Sequence, residues 1–321
     1  MPCPEPNCGY CADMTDAFTA RPSPLLRVTA AAVRLLRSKR IMVSEPRSHA
    51  DIEASIGKPF ATPPRSSARR LLISQDRLGP LRTTVIEPRG IPLSARPLVY
   101  VHGGAYVHQF ETAHWWLTDA LTRDLRVRIF AVDYTLAPTG TAARGVADVA
   151  AAITALTERE GITPIVAGDS AGGGLALAVA ARLHDTPSAP AHLALFAPWL
   201  DAGLRNPEAQ ALERRDPSLA VPGLRIAGRL WASELGIDHP DVSPLFADPA
   251  GLPPTSLVVG TRDILYPDAR DFAASARSAG VDVATFTASD AFHVFPAATW
   301  LPESISARVW LKQRLAAALR G

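Results

Sequence analysis

Ser170 stands in the middle of Gly168-Asp169-Ser170-Ala171-Gly172-Gly173, with the apolar run Ile165-Val166-Ala167 before it and the helix-forming run from Ala171 to Leu183 after it. Strand, sharp turn and helix in that order push a serine hydroxyl into the open, where a base and a substrate can reach it. Glycines two places to either side let the backbone turn tightly without a Cβ in the way. The chemistry such a turn serves is nucleophilic attack on an acyl carbon. A serine hydroxyl is a weak nucleophile, so a base must take its proton.

That base must be an imidazole held in one tautomer by an acid. His293, in Asp290-Ala291-Phe292-His293-Val294-Phe295, falls in the loop between the last strand and the last helix. Asp263, at the end of Val258-Val259-Gly260-Thr261-Arg262-Asp263, falls on the turn after the preceding strand. Asp268, Asp271 and Asp290 are alternative acids nearby, and Arg262 is expected to face solvent. The order serine, acid, histidine is that of the α/β-hydrolase sheet. A tetrahedral oxyanion also needs fixed donors. Ala171, at the start of the helix, offers one backbone N–H. The loop His102-Gly103-Gly104-Ala105-Tyr106 offers the rest, from Gly103, Gly104 and Ala105. His102 is expected to organise this loop rather than act as a second base. Asp169 is expected to anchor the elbow, and Asp133-Tyr134 with Leu136-Ala137-Pro138 to pack behind it.

Strand and helix signals alternate from residue 69 onward. Leu71–Ser74, Thr83–Glu87, Pro97–Val101, Val127–Tyr134, Pro164–Ala167, Leu193–Ala197, Ser256–Gly260 and Val281–Phe286 read as strands. Helices are expected over Trp115–Asp124, Ala142–Glu160, Ala171–Leu183, Pro267–Ala279 and Ser304–Leu319. Strands separated by helices of this length make a mainly parallel sheet covered on both faces. In such sheets ligands bind at the carboxyl ends of the strands, where His102, Ser170, Trp199 and Thr261 fall. Residues 201–245 interrupt the alternation with Pro207, Pro217, Pro222 and Pro240 and read as a lid segment. The first 60 residues read as irregular helix, with Leu25, Leu26, Val28, Val33, Leu35 and Leu36 on one face, and Pro59, Pro63 and Pro64 mark a linker. That face either packs over a groove or lies on a membrane surface. The division is thus 1–65 as cap segment and tail, and 66–321 as the main domain.

The 321 residues suit one large domain, and 47% hydrophobic with 20% charged residues is ordinary for a globular chain with a sizeable core. A formal charge of +2 with scattered arginines gives nucleic acid no footprint. No apolar run is long enough for stable membrane insertion. Cys3, Cys8 and Cys11 are an odd set confined to the tail; Cys8 and Cys11 have metal-like spacing but lack the second ligand pair a site needs. No metal or cofactor is expected. Met14 is a possible second start, and a cytoplasmic location is the expectation. The last strand and helix are expected to leave an exposed edge on which a homodimer can form.

The combination of motifs resembles the hormone-sensitive lipase group of α/β-hydrolases, the bacterial family IV esterases. The matching strings are His102-Gly103-Gly104-Ala105-Tyr106, Asp133-Tyr134-Thr135-Leu136-Ala137-Pro138, Gly168–Gly173, Gly251-Leu252-Pro253-Pro254, Gly260-Thr261-Arg262-Asp263 and His293-Val294-Phe295. The resemblance runs from about residue 80 to the end. It implies Ser170 as nucleophile, His293 as base, Asp263 as acid, donors from 103–105 and Ala171, and a cap made of the N-terminal helices plus the segment after Trp199. It further implies small acyl esters of short or medium chain as substrates, with lactones as the main enzymatic alternative. A hydrolase-like binding protein without turnover is the alternative of another class. Tyr106, Trp115, Trp116, Trp199 and Phe292 are candidates to line an apolar pocket. The chain departs from the family at Ala105, where many relatives carry glycine. It departs again after Pro138, where the usual glutamate is missing, and in the N-terminus.

Overall fold

A computed structural model describes residues 16–19, 21–35 and 38–320. Cys3, Cys8, Cys11, Met14 and Leu36 lie outside the described residues. Near the N-terminus come a short strand β1 (Asp16–Thr19) and the helices α1 (Pro24–Leu35), α2 (Ser38–Met42), α3 (Glu45–Ser55) and α4 (Arg65–Arg70). The hairpin β2 (Leu71–Leu78) and β3 (Leu81–Pro88) opens the sheet proper. Then strands and helices alternate: β4 (Leu98–Val101), α5 (Thr112–Leu125), β5 (Ile129–Asp133), α6 (Ala142–Glu160), β6 (Ile165–Asp169), α7 (Ser170–Leu183) and β7 (His192–Phe196). After α8 (Pro207–Leu212) and α9 (Val221–Ala232) the alternation resumes with β8 (Thr255–Gly260), α10 (Tyr266–Ser278), β9 (Val283–Ala288) and α11 (Pro302–Arg314).

The strands form one sheet in the order β1-β9-β8-β7-β6-β4-β5-β3-β2. The hairpin β2–β3 and the β3–β5 pair are antiparallel, and the remaining pairs are parallel. Every residue of β4, β6, β7 and β8 is buried, as expected for parallel strands covered on both faces. One face packs Val146, Val149 and Ile153 of α6 against Leu175 and Val179 of α7. The other packs Leu117 and Leu121 of α5 with Trp310 and Leu311 of α11. This is the α/β-hydrolase fold, with helices α1–α3 and α8–α9 as a helical cap region.

Two expectations for the N-terminal segment are corrected. Residues 16–19 are strand, not helix, and pair in parallel with β9 from Asp16 opposite Thr285 to Thr19 opposite Ala288. The last strand therefore is not the sheet edge, and the edge expected to receive a second copy is covered by the chain itself. The apolar residues of α1 also do not share one face. Leu26 and Ala30 are buried and Val33 half-buried, three positions at i, i+4 and i+7, whereas Leu25, Val28 and Leu35 point outward. Among the described residues no helix is long and apolar enough to cross a membrane.

Candidate active site

The turn from β6 into α7 places Ser170 in the left-handed region, with φ of +52°. That conformation costs a non-glycine residue about 1–3 kcal/mol and persists only where the surroundings hold it. Here they do: Trp199 N–H donates to the Ser170 carbonyl at 2.8 Å, tying the loop after β7 to the turn. Gly172 lets α7 start against β4, since a Cβ there would sit 2.1 Å from the Val101 carbonyl oxygen. Ser170 opens onto a cavity of about 720 Å³, and His293 lines the same cavity.

The loop after β8 carries Asp263, and the loop after β9 carries His293. Asp263 Oδ2 and His293 Nδ1 are 2.7 Å apart, and Asp263 Oδ1 accepts the Leu265 N–H at 2.9 Å. A carboxylate accepts only, so the imidazole proton is on Nδ1 and the Nε2 lone pair is free for a proton from elsewhere. Burial alone would push the His293 pKa down; Asp263 above all, then Asp216 and Asp169, outweigh it and raise it above its ordinary value. The other carboxylates considered for this place are engaged differently. Asp268 accepts from Asn206 at 3.0 Å, and Asp290 pairs with Arg215 at 3.1 Å. Arg262, expected at the surface, is tucked in: it donates to the Arg215 carbonyl at 3.2 Å and approaches Asp290 at 3.7 Å.

Four backbone N–H groups are expected as oxyanion donors, and one of them is already engaged within the protein. Gly103 N–H is spent on Asp169 Oδ1 at 3.0 Å, because the elbow carboxylate turns back under the loop. Among the described residues the N–H groups of Gly104 and Ala105 have no acceptor. Ala171 N–H, in the first turn of α7, has none within its helix. The loop takes unusual backbone to present them: φ is +110° at Gly104, +53° at Ala105 and +62° at Tyr106. At Gly104 a Cβ would also meet the His108 carbonyl oxygen at 2.5 Å. Ala105 adopts the left-handed conformation at a cost, and its methyl narrows the cavity it lines.

The supports behind this loop are buried polar groups. Asp169 accepts from Tyr100 Oη at 2.6 Å as well as from Gly103, and faces His114 Nε2 at 3.4 Å. Burial would raise the Asp169 pKa, but His114, Tyr100 and Gly103 N–H together hold it below its ordinary value. Asp169 draws His114 toward protonation, yet Glu111 N–H donates to His114 Nδ1 at 2.7 Å. A proton on Nδ1 would face that donor, so the ring is neutral with its hydrogen on Nε2. His102 is buried and neutral, its pKa lowered to about 3, above all by burial. Its Nδ1 lies 2.7 Å from the Gly103 carbonyl and its own carbonyl accepts from Tyr134 Oη at 2.8 Å. Behind, Ala137 N–H donates to the Tyr106 carbonyl at 2.8 Å, and Asp133 pairs with Arg82 at 2.9 Å.

Of the aromatic candidates for the pocket, Trp116 and Phe292 line the cavity; Tyr106, Trp115 and Trp199 do not. Tyr106 stacks between Trp199, at 5.4 Å, and Trp231 of α9, at 4.3 Å, so its flat faces are used within the core. Trp115 points the other way and donates to the Ala61 carbonyl. Val33, from the face expected to pack over a groove, lines the cavity; sequence reasoning passed over the cap contributions from Met42 and Leu219, and over Trp300, which meets Trp116 edge-on at 5.5 Å. It also passed over His114 and Asp216, which nothing local distinguishes from surface polar residues and which the fold buries. Asp51 Oδ2 and His108 Nε2 lie 3.0 Å apart at the same cavity, and among the described residues no lysine or arginine lines it. Among the described residues no group of three His, Cys, Asp or Glu side chains is arranged to hold a metal ion.

A family model described as the alpha/beta hydrolase fold matches residues 98–297. An acetyl-hydrolase of Streptomyces hygroscopicus is 33% identical over 205 residues, covering 62% of this chain and 68% of its own. An esterase of Acinetobacter venetianus is 33% identical over 220 residues, covering 66% of this chain and 72% of its own. Among solved structures, that of EstE5 superimposes with a TM-score of 0.80 at 25% identity, covering 93% of this chain and 100% of that one. An esterase from the bacterial hormone-sensitive lipase family superimposes with a TM-score of 0.75 at 25% identity, covering 94% and 99%. The chain therefore belongs to the α/β-hydrolase family and, within it, to the hormone-sensitive lipase group of family IV esterases, and it is an enzyme of the serine hydrolase type.

Proposed function

We propose that this enzyme hydrolyses short- to medium-chain acyl esters through a covalent acyl-enzyme on Ser170. Ser170 Oγ attacks the ester carbonyl carbon while His293 Nε2 takes its proton, and Asp263 steadies the imidazolium that results. The carbonyl oxygen becomes an oxyanion that accepts from the N–H groups of Gly104, Ala105 and Ala171. Collapse of the tetrahedral intermediate breaks the bond to the alcohol, which leaves with the proton from His293 Nε2. A water then gives its proton to the same nitrogen and attacks the acyl carbon; the bond to Ser170 Oγ breaks, Oγ takes the proton back from His293 Nε2, and the acid is released. The division of the chain at about residue 65, with a second cap segment at about 201–245, follows from the same reading.

The observation that carries this reading is the 2.7 Å contact of His293 Nδ1 with Asp263, with Ser170 on the wall of the same apolar cavity. Among the described residues no lysine or arginine lines the cavity, which favours a substrate uncharged near the ester bond. The test is a series of p-nitrophenyl esters from acetate to decanoate beside a set of lactones, with Ser170→Ala as control. Each methylene buried in the cavity contributes about 0.8 kcal/mol, so kcat/KM is expected to rise about fourfold per CH₂ until the cavity is full, and then fall. Turnover of lactones with none of open esters would contradict the substrate assignment. Release of one p-nitrophenol per molecule without turnover would make the chain a binding protein.

A further inference from the structure

We propose that Asp216, carried by the segment between α8 and α9, is a positioning residue: it fastens this part of the cap to the loop bearing Asp263 and adds a second negative charge behind His293. The inference rests on the roles given above to Ser170, His293 and Asp263.

Asp216 is fully buried. Its Oδ2 accepts the N–H of Ile264, the residue after Asp263, at 3.0 Å. Its Oδ1 accepts from Ser218 N–H at 2.8 Å, Ser218 Oγ at 3.0 Å and Leu219 N–H at 3.0 Å. The contacts with Ser218 and Leu219 are local and would serve any tight turn. The contact with Ile264 is different, because it spans 48 residues and joins two separate parts of the fold. It also divides one short loop between two carboxylates: Asp216 takes Ile264 N–H, and Asp263 takes Leu265 N–H with its Oδ1 while Oδ2 holds the imidazole. Loss of the first contact frees the backbone immediately beside Asp263. On the other side of the same turn, Leu219 lines the substrate cavity.

The segment is clamped from two further directions. Lys39 Nζ of α2 donates to the carbonyls of Glu213 and Asp216, which brings the N-terminal part of the cap onto the junction. Arg262 donates to the Arg215 carbonyl at 3.2 Å, and Arg215 pairs with Asp290 at 3.1 Å. Asp216 thus stands where the two parts of the cap and the acid-bearing loop meet.

The hydrogen-bond pattern also speaks to charge. Three of the four polar groups bound to the Asp216 carboxylate are backbone N–H groups, which can only donate, and the fourth is the Ser218 hydroxyl. That arrangement suits the ionised form. Burial and Asp263 push the Asp216 pKa up; Leu219 N–H, Ser218 N–H and His293 oppose them. The charged groups around the pair are Asp263, Asp216 and Asp169 near the imidazole, and Lys39, Arg215, Arg262 and Asp290 around the cap segment. A neutral residue at 216 removes one of the three anions that favour the imidazolium, and the acidic limb of kcat/KM must move to lower pH.

Asp216→Asn tests this on the full-length enzyme. Asn keeps the shape but puts an NH₂ against either Ile264 N–H or the Ser218 and Leu219 donors. The expected result is a fall in kcat of about 10- to 100-fold with KM little changed, as for a small displacement of a catalytic group. The acidic limb of the kcat/KM profile is expected to move down by about half a pH unit or more. A folded variant with wild-type kcat and limb overturns the proposal. So does a fall in rate with the limb unmoved, which assigns Asp216 to packing alone. If thermal melting finds Asp216→Asn unfolded, Ser218→Ala is read in its place. It removes one donor to the carboxylate and is expected to lower kcat about two- to fivefold; an unchanged kcat overturns the proposal. Ser170→Ala is run alongside: if it is as active as wild type, the roles of Ser170, His293 and Asp263 fall first, independently of Asp216.

Discussion

Asp169→Asn tests the link between the buried polar network and the oxyanion loop. The wild-type carboxylate accepts from Tyr100 Oη at 2.6 Å and Gly103 N–H at 3.0 Å on one oxygen, and faces His114 Nε2 at 3.4 Å on the other. Asn can keep its carbonyl oxygen toward Tyr100 and Gly103. Its NH₂ then faces the His114 Nε2–H, and His114 cannot move its proton to Nδ1 without meeting Glu111 N–H. One buried donor is therefore left without a partner, which costs about 1–3 kcal/mol, and two charge-assisted bonds weaken to neutral ones. Together a destabilisation of about 2–4 kcal/mol is expected in urea unfolding at pH 7. The charge also matters for pH: the Asp169 carboxyl sits below its ordinary pKa when folded, so its contribution is present above the unfolded pKa and is lost as pH falls through the folded one. Wild type and variant should therefore converge in stability in acid. Gly103 is the tether of the loop that presents Gly104 and Ala105, so kcat should fall about 10- to 100-fold while KM changes little. Equal stabilities at pH 7, or a loss of activity carried entirely by KM, would refute the connection between Asp169 and the loop.

Two further outcomes are expected. Asp263→Asn leaves His293 Nδ1 facing an amide, which lets the imidazole adopt the wrong tautomer; kcat should fall by roughly 10⁴ with little change in KM, and a fall below tenfold in p-nitrophenyl ester assays would reassign the acid. Asp268→Asn should stabilise the protein at high pH. Asp268 is buried with Oδ2 unpartnered among the described residues, and burial, with Asp201 and Asp271, raises its pKa to about 6. The native state then binds a proton the unfolded state has released between about pH 4 and 6, so stability declines as pH rises through that window. After allowing for the favourable position of a carboxylate in the first turn of α10, the variant should gain about 1–2 kcal/mol at pH 8 and nothing at pH 4 in thermal melts; a variant less stable than wild type at pH 8 would contradict this.

The parts of this fold that the sequence makes plain are those with one dominant local cause. β6 and the elbow combine a wholly buried apolar strand with glycines that no side chain can replace, and the alternation after residue 69 follows from burial on both sheet faces. The less legible parts depend on partners distant along the chain. β1 is four residues with no marked periodicity, and it exists as strand because β9 offers an edge. Gly103 looks equivalent to Gly104 until Asp169 is seen to take its N–H. Tyr106 and Trp199 have the composition of pocket residues, but Trp231 from the cap closes over the tyrosine ring. α1 shows ample apolar residues, and only tertiary packing decides that Leu26 and Ala30 turn inward while Val28 turns out. Asp216 is an isolated acid among loop residues until Ile264 is placed beside it.

The central claim, that Ser170 carries the acyl group, is tested most directly by labelling. A p-nitrophenyl alkylphosphonate should transfer one phosphonyl group per molecule, found on the peptide containing Ser170, with loss of esterase activity in proportion. Pretreatment at a pH where His293 is protonated should slow the labelling in parallel with hydrolysis. A phosphonyl group on any other residue, or full hydrolytic activity in protein quantitatively labelled at Ser170, would contradict the account.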